Sequence, residues 1–152
     1  MPLSLTSAVF QEGEVIPSRY TCEGENISPP LQWEGVPSEV ESFVLIMDDP
    51  DAPAGVWDHW ILFNLPKDLR NIQENERNFS SDTKKGINSW GKLDYGGPCP
   101  PSGAHHYFFK LYALSKKLEL RDASRKSEIE KAMRGHILAQ AQLVGVYKKA
   151  SK

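Results

Sequence analysis

Residues 43–47 form an unbroken apolar run, Phe43, Val44, Leu45, Ile46 and Met47, in a chain whose other apolar positions mostly alternate with polar ones. A continuous apolar segment of strand length predicts a strand buried on both faces, here 42–47. Trp60 to Phe63 repeats the pattern and predicts a second buried strand, ended by Pro66. Between them lies a short loop containing Gly55, which makes the two strands neighbours joined at one end. The segment 105–114 alternates more strictly. His105, Tyr107, Phe109 and Leu111 share one face, with His106, Phe108, Lys110 and Tyr112 on the other, so the adjacent histidines cannot serve one site.

Weaker alternation marks three further strands. Leu3 and Leu5 predict a short one confined to an edge by Pro2, residues 15–20 a second, and Val144 with Val146 a last one at 143–148. A period near 3.6 appears once, at 128–140, where Ile129, Ala132, Met133, Ile137 and Ala141 form an apolar stripe after a Ser127/Glu130 capping-box pattern. This predicts the chain's one helix, with His136 on the stripe as a core-edge residue. Residues 20–33 read as a long irregular loop, and 67–90 as a polar surface excursion without regular structure. Several strands followed by one late helix predict an all-β, antiparallel Greek-key sandwich built as a single domain over 1–152.

Composition narrows the functional classes. A net charge of -2 supplies no basic field for nucleic acid. No run approaches the roughly 18 apolar residues of a membrane span, and the first ten residues lack a signal-peptide pattern, which together predict a cytoplasmic protein. In that compartment Cys22 and Cys99 read most simply as small, partly buried thiols, with a disulfide between them as the alternative.

Candidate chemistry gathers at strand ends. The buried run stops in Asp48, Asp49, Pro50, Asp51, Ala52, Pro53, and carboxylates there are costly unless solvated, capping a turn or facing a cavity. Asp48 and Asp51 suit turn formation beside the prolines, whereas alternation from Phe43, Leu45 and Met47 carries Asp49 to the strand's mouth. His59 is its candidate partner, although alternation within its own strand groups it with Ile61 and Phe63. The Pro and Gly loop 97–103 then delivers His105 and Tyr107. A carboxylate beside an imidazole fixes its tautomer and favours the charged ring, and imidazolium N–H and phenol O–H groups donate to an oxyanion. The set Asp49, His59, His105 and Tyr107 therefore predicts a small anion pocket without Lys or Arg. Two sharper readings compete with it. One is a hydrolytic triad of Ser102, His105 and Asp49, which lacks a nucleophile elbow. The other is a zinc site of Cys99, His59 and His105, which lacks paired-ligand spacing.

The motifs SPPLQW (28–33), DPDAP (49–53), WDHW (57–60) and GPCPPSGAHHY (97–107) resemble the phosphatidylethanolamine-binding protein family, also called Raf kinase inhibitor-like proteins, in its short bacterial and archaeal branch. The resemblance runs from about residue 4 to residue 147. It implies a β-sandwich with an anion pocket lined by Asp49, Pro53, His59, Pro101, His105 and Tyr107, and a cis peptide before Pro53. It implies a non-enzymatic binder of phosphate or phosphorylated groups that needs no cofactor and regulates signalling or other proteins. Kinases, phosphoproteins and serine proteases are the partners it suggests, protease inhibition acting through the loops 20–33 and 67–90, with a homodimer as one assembly.

Overall fold

The computed structural model describes residues 2–150. Within them, eight strands form two open antiparallel sheets. The larger contains β3 (Ser42–Asp49), β4 (Trp57–Pro66), β6 (Lys84–Lys85), β7 (His105–Leu114) and β8 (Ile137–Tyr147) in the order β6-β4-β3-β7-β8. The smaller contains β1 (Ser4–Thr6), β2 (Leu31–Glu34) and β5 (Asn71–Ile72) in the order β1-β2-β5. As its apolar run requires, β3 is the central strand of the large sheet and is buried at every position.

Alternation on β3 divides the interior in two. Phe43, Leu45 and Met47 point to the small sheet, where they meet Leu5, Leu31, Trp33 and Ile72. Val44 and Ile46 point the other way, with Ile61 and Phe63, and are covered by Ile129 and Met133 of α1 (Lys126–Met133). The helix therefore backs the large sheet, and the sheet-to-sheet core lies on its opposite face.

Several local expectations need correction. The helix ends at Met133, two residues before Gly135, whose φ of +81° is a left-handed conformation that stops a helix cheaply only at glycine. Residues 137–142 instead extend β8 along β7, because a sheet edge offers them backbone hydrogen bonds that a longer helix would leave unmade on β7. The capping interaction lies two residues earlier than the Ser127/Glu130 pattern, with the Glu128 carboxylate accepting from the Arg125 N–H at 2.7 Å. His136 is thus a junction residue, its carbonyl accepting from the Ser115 N–H. Residues 15–20 contribute one parallel bridge, Val15 to Val146, and a 3-10 turn at Ser18–Tyr20 in place of a strand. The segment 67–90 carries β5 and β6 and is less irregular than its composition indicates.

Cys22 and Cys99 form a disulfide, correcting the reading of two thiols. They are 77 residues apart in sequence, yet packing of the 20–26 loop against the 97–101 loop brings their Cα atoms to 5.4 Å. The same packing explains Gly97. Its N–H donates to Asn26 Oδ1, and a Cβ there would stand 2.3 Å from the Tyr20 carbonyl oxygen. Among the described residues no helix is long and apolar enough to cross a membrane.

Candidate functional site

Where β3, β4 and β7 end together, the loops after β3 and before β7 close around a cavity of about 360 Å³. Asp49, Pro53, His59, Pro101, His105 and Tyr107 all line it, as do Ala52, Trp57, Trp90, Cys99 and Pro100. Antiparallel pairing accounts for the convergence. Asp49 continues the face of Leu45 and Met47 on β3, while His105 and Tyr107 continue the face of Phe109 and Leu111 on the adjacent strand.

His59 arrives by a different route. Met47 pairs with Trp60 and Asp48 with Asp58, which leaves His59 as an extra residue in β4 with no residue opposite it. A bulge of this kind re-aims a side chain. Strict alternation groups His59 with Ile61 and Phe63, which face α1; the bulge turns it to the cavity. There its Nδ1 lies 2.7 Å from the Gly96 carbonyl oxygen, and its ring meets Trp90 and Tyr107 edge to face at 4.9 and 5.2 Å.

Asp49 pairs with His105, and the expected pairing with His59 does not form: His105 Nδ1 donates to Asp49 Oδ2 at 2.7 Å. Both residues are buried, at 3% and 6% exposure. The other Asp49 oxygen accepts the Asp51 N–H at 2.8 Å. His105 thus has its tautomer fixed, and among the described residues nothing bonds its Nε2. His59 differs in kind. Its Nδ1 partner is a carbonyl, which can only accept, so Nδ1 carries the proton. Burial lowers its pKa below the usual histidine value, against the opposing effects of the Gly96 hydrogen bond and of Asp49, Asp48 and Asp58. The neutral ring is favoured, and the expectation of two imidazolium donors gives way to one acceptor, His59 Nε2, beside the Asp49–His105 pair.

Tyr107 is fully buried, and its phenol oxygen has no hydrogen-bond partner. The Cys99 backbone N–H approaches closely enough to favour a phenolate without meeting hydrogen-bond geometry. Burial raises the phenol pKa well above the ordinary value, with the Asp49 charge acting the same way, so Tyr107 remains an O–H donor.

Of the two carboxylates expected to form turns, Asp51 lies in the turn after β3, whereas Asp48 does not. Asp48 lies inside β3 at 2% exposure, on the face opposite Asp49, where Lys110 and Lys126 approach it at 3.2 and 3.3 Å. Lys126 also reaches Asp58 Oδ1 at 2.7 Å, tying the first residue of α1 to the strand just before the bulge. Asp51 accepts from both the backbone N–H and Nδ1 of His106 at 2.8 Å, and that side-chain bond is the first cause of its lowered pKa. His106 is therefore outside the cavity, as alternation requires.

Ser102 is exposed and is not among the lining residues, so no Ser102–His105–Asp49 triad assembles in the cavity. Cys99 Sγ is bonded to Cys22, and among the described residues no three His, Cys, Asp or Glu side chains converge as metal ligands. No cis peptide bond occurs among the described residues; the bond before Pro53 is trans, the isomer that X–Pro bonds ordinarily favour. Ala52, Trp57, Trp90, Cys99 and Pro100 line the cavity beyond the six site residues named from the sequence, and the two tryptophans are the largest of them. Trp57 becomes legible as the residue opposite Asp49 once the bulge is known, whereas Trp90 lies in the polar 67–90 segment with no local signal beyond its size.

Known proteins match along the whole framework. The family model described as phosphatidylethanolamine-binding protein matches residues 6–148. A UPF0098 protein of Methanothermobacter thermautotrophicus is 49% identical over 150 residues, covering 97% of this chain and 99% of the relative. One from Aquifex aeolicus is 46% identical, covering 97% and 89%. Among solved structures, the phosphatidylethanolamine-binding protein homologue CT736 of Chlamydia trachomatis superposes with a TM-score of 0.93 at 41% identity, covering 97% of this chain and 98% of that one. YbcL of E. coli, described as a member of the mammalian PEBP family, gives 0.91 at 30% identity, covering 98% and 99%. With motifs, sheet order and these matches in agreement over nearly its full length, the chain belongs to the phosphatidylethanolamine-binding protein family.

Proposed function

We propose that this protein is a non-enzymatic binding protein whose cavity takes phosphate or the anionic group of a phosphorylated ligand, and that it acts as a regulator of signalling or of other proteins. Family membership supports a binding role. The observation that carries the finer reading is the unpartnered, fully buried Tyr107 hydroxyl bordering a cavity beside the Asp49–His105 pair. A buried hydroxyl without a partner is costly, and a ligand oxygen would satisfy it. No Lys or Arg lines the cavity, so the anion would be held by directed hydrogen bonds, and binding would be weak and exchangeable. The mostly apolar rim of Ala52, Pro53, Trp57, Trp90, Pro100 and Pro101 would exclude water from those bonds.

Titration calorimetry of the wild-type protein and His105→Ala with inorganic phosphate tests the proposal. Saturable binding lost in the variant supports it. Equal binding by both proteins, or none by the wild type, rejects it. A pull-down with the same pair, with and without competing phosphate, asks whether the anion is carried by a protein. Partners lost in both conditions belong to the pocket.

A further inference from the structure

A pocket that takes an anion must also distinguish one oxyanion from another, and the cavity's polar atoms differ in what they can do. Tyr107 O–H is a donor, and the Asp49–His105 pair leaves His105 Nε2. His59 is constrained from every side. Gly96 O fixes its Nδ1–H, Trp90 and Tyr107 clamp the ring between edges, and burial to 3% exposure disfavours a charge on it. No carboxylate bonds to it. Asp49, Asp48 and Asp58 are the charged groups whose fields reach it, Asp49 being engaged by His105 and the other two by Lys110 and Lys126. Among the described residues nothing bonds its Nε2.

Resting on the anion-binding reading of the cavity, we infer that His59 makes the pocket selective for a protonated oxyanion: its Nε2 lone pair accepts a hydrogen bond from a ligand O–H, favouring a phosphate monoester monoanion over a fully deprotonated oxyanion of the same shape and charge. An acceptor facing an oxyanion that carries no proton is a lone pair against a lone pair. That arrangement both forfeits a hydrogen bond and leaves a buried polar atom unpaired. A site built to accept from a ligand O–H therefore rejects the analogue lacking it more strongly than it rejects a change of size.

Methyl phosphate and methyl sulfate separate this effect from charge and shape. Below its second ionisation near pH 6 the phosphate ester is a monoanion with one O–H; the sulfate ester is a monoanion with none. By competition calorimetry at pH 6, where about half of the phosphate ester is that monoanion, the wild-type protein should bind methyl phosphate at least about tenfold more tightly, or about 1.4 kcal/mol. The affinity ratio should then fall about tenfold per pH unit above the ester's second pKa, of about 6. Taking the ratio cancels any effect of pH on the protein that both esters meet alike. His59→Gln, whose amide can rotate to donate, should bring the ratio toward one. If that variant does not fold, ¹⁵N spectroscopy of the wild-type histidines supplies the second readout. The His59 Nε2 signal should be that of an unprotonated nitrogen, and should move on adding methyl phosphate but not at matched concentrations of methyl sulfate. Equal affinity for the two esters, or an Nε2 protonated in the phosphate complex, overturns the inference while leaving an anion pocket standing. Failure of both esters and of inorganic phosphate to bind removes the anion reading itself.

Discussion

Replacing Tyr107 with Phe should move stability and affinity in opposite directions. The change deletes one oxygen that is fully buried and unpartnered in the free protein. Leaving such a group unsatisfied costs about 1–3 kcal/mol, and an apolar replacement of the same shape removes that cost while giving up few contacts. We expect Tyr107→Phe to be neutral or more stable by up to about 1 kcal/mol, which raises Tm by about 2–4 °C in a chain of this length. Phosphate binding should weaken by one hydrogen bond to a charged group, about 1.5–3 kcal/mol, or roughly 10- to 150-fold in Kd. The assay is a pair of urea titrations, with and without phosphate at about one hundred times the wild-type Kd, where the wild type gains about 2.7 kcal/mol and the variant about 0.3–1.4 kcal/mol. A variant destabilised by more than about 1 kcal/mol with phosphate affinity unchanged would overturn this account. That outcome would mean that the hydroxyl serves the fold through the nearby Cys99 N–H.

Three further outcomes are expected from the same geometry. The disulfide closes a loop of 77 residues, for which chain entropy gives about 4.5 kcal/mol; Cys22→Ser with Cys99→Ser should lose up to that amount in urea, and a loss under about 1 kcal/mol would show that packing alone holds the 97–101 loop. Lys126→Met should cost about 2–3 kcal/mol, because Asp58 loses its counter-ion while Asp48 keeps Lys110; a neutral result would show that Asp58 is adequately solvated without Lys126. Because burial depresses the His59 pKa, the unfolded chain takes up a proton there first as pH falls. Its contribution to stability is present above about pH 6.5 and is lost as pH drops below that toward the folded-state value, so urea midpoints should fall between pH 7.5 and 5.5 less in His59→Gln than in the wild type.

The central strand, the inward face of β7 and the existence of a polar cavity at their common end follow from local periodicity, since a strand's side chains alternate whatever its neighbours do. Asp49, His105 and Tyr107 are legible on that ground alone. So is the exclusion of His106, which the structure finds bonded to Asp51 outside the cavity. Motif resemblance adds Pro53 and Pro101, which no periodicity argument reaches.

What periodicity cannot supply depends on relations between distant segments. It overextends the helix because 137–142 carries apolar residues compatible with either period, and only the free edge of β7 decides for a strand. The disulfide requires two loops 77 residues apart to pack together. The place of His59 in the cavity requires a register slip between β3 and β4, and a one-residue offset in pairing leaves no mark on either strand's own pattern. Its protonation then depends on a carbonyl 37 residues away and on depth of burial. Residue identity and alternation are enough to name Asp49, His105 and Tyr107 as residues of one polar cavity. Which of them donate and which accept is settled in the folded chain, because tautomer and charge are set by partners that only folding brings into place.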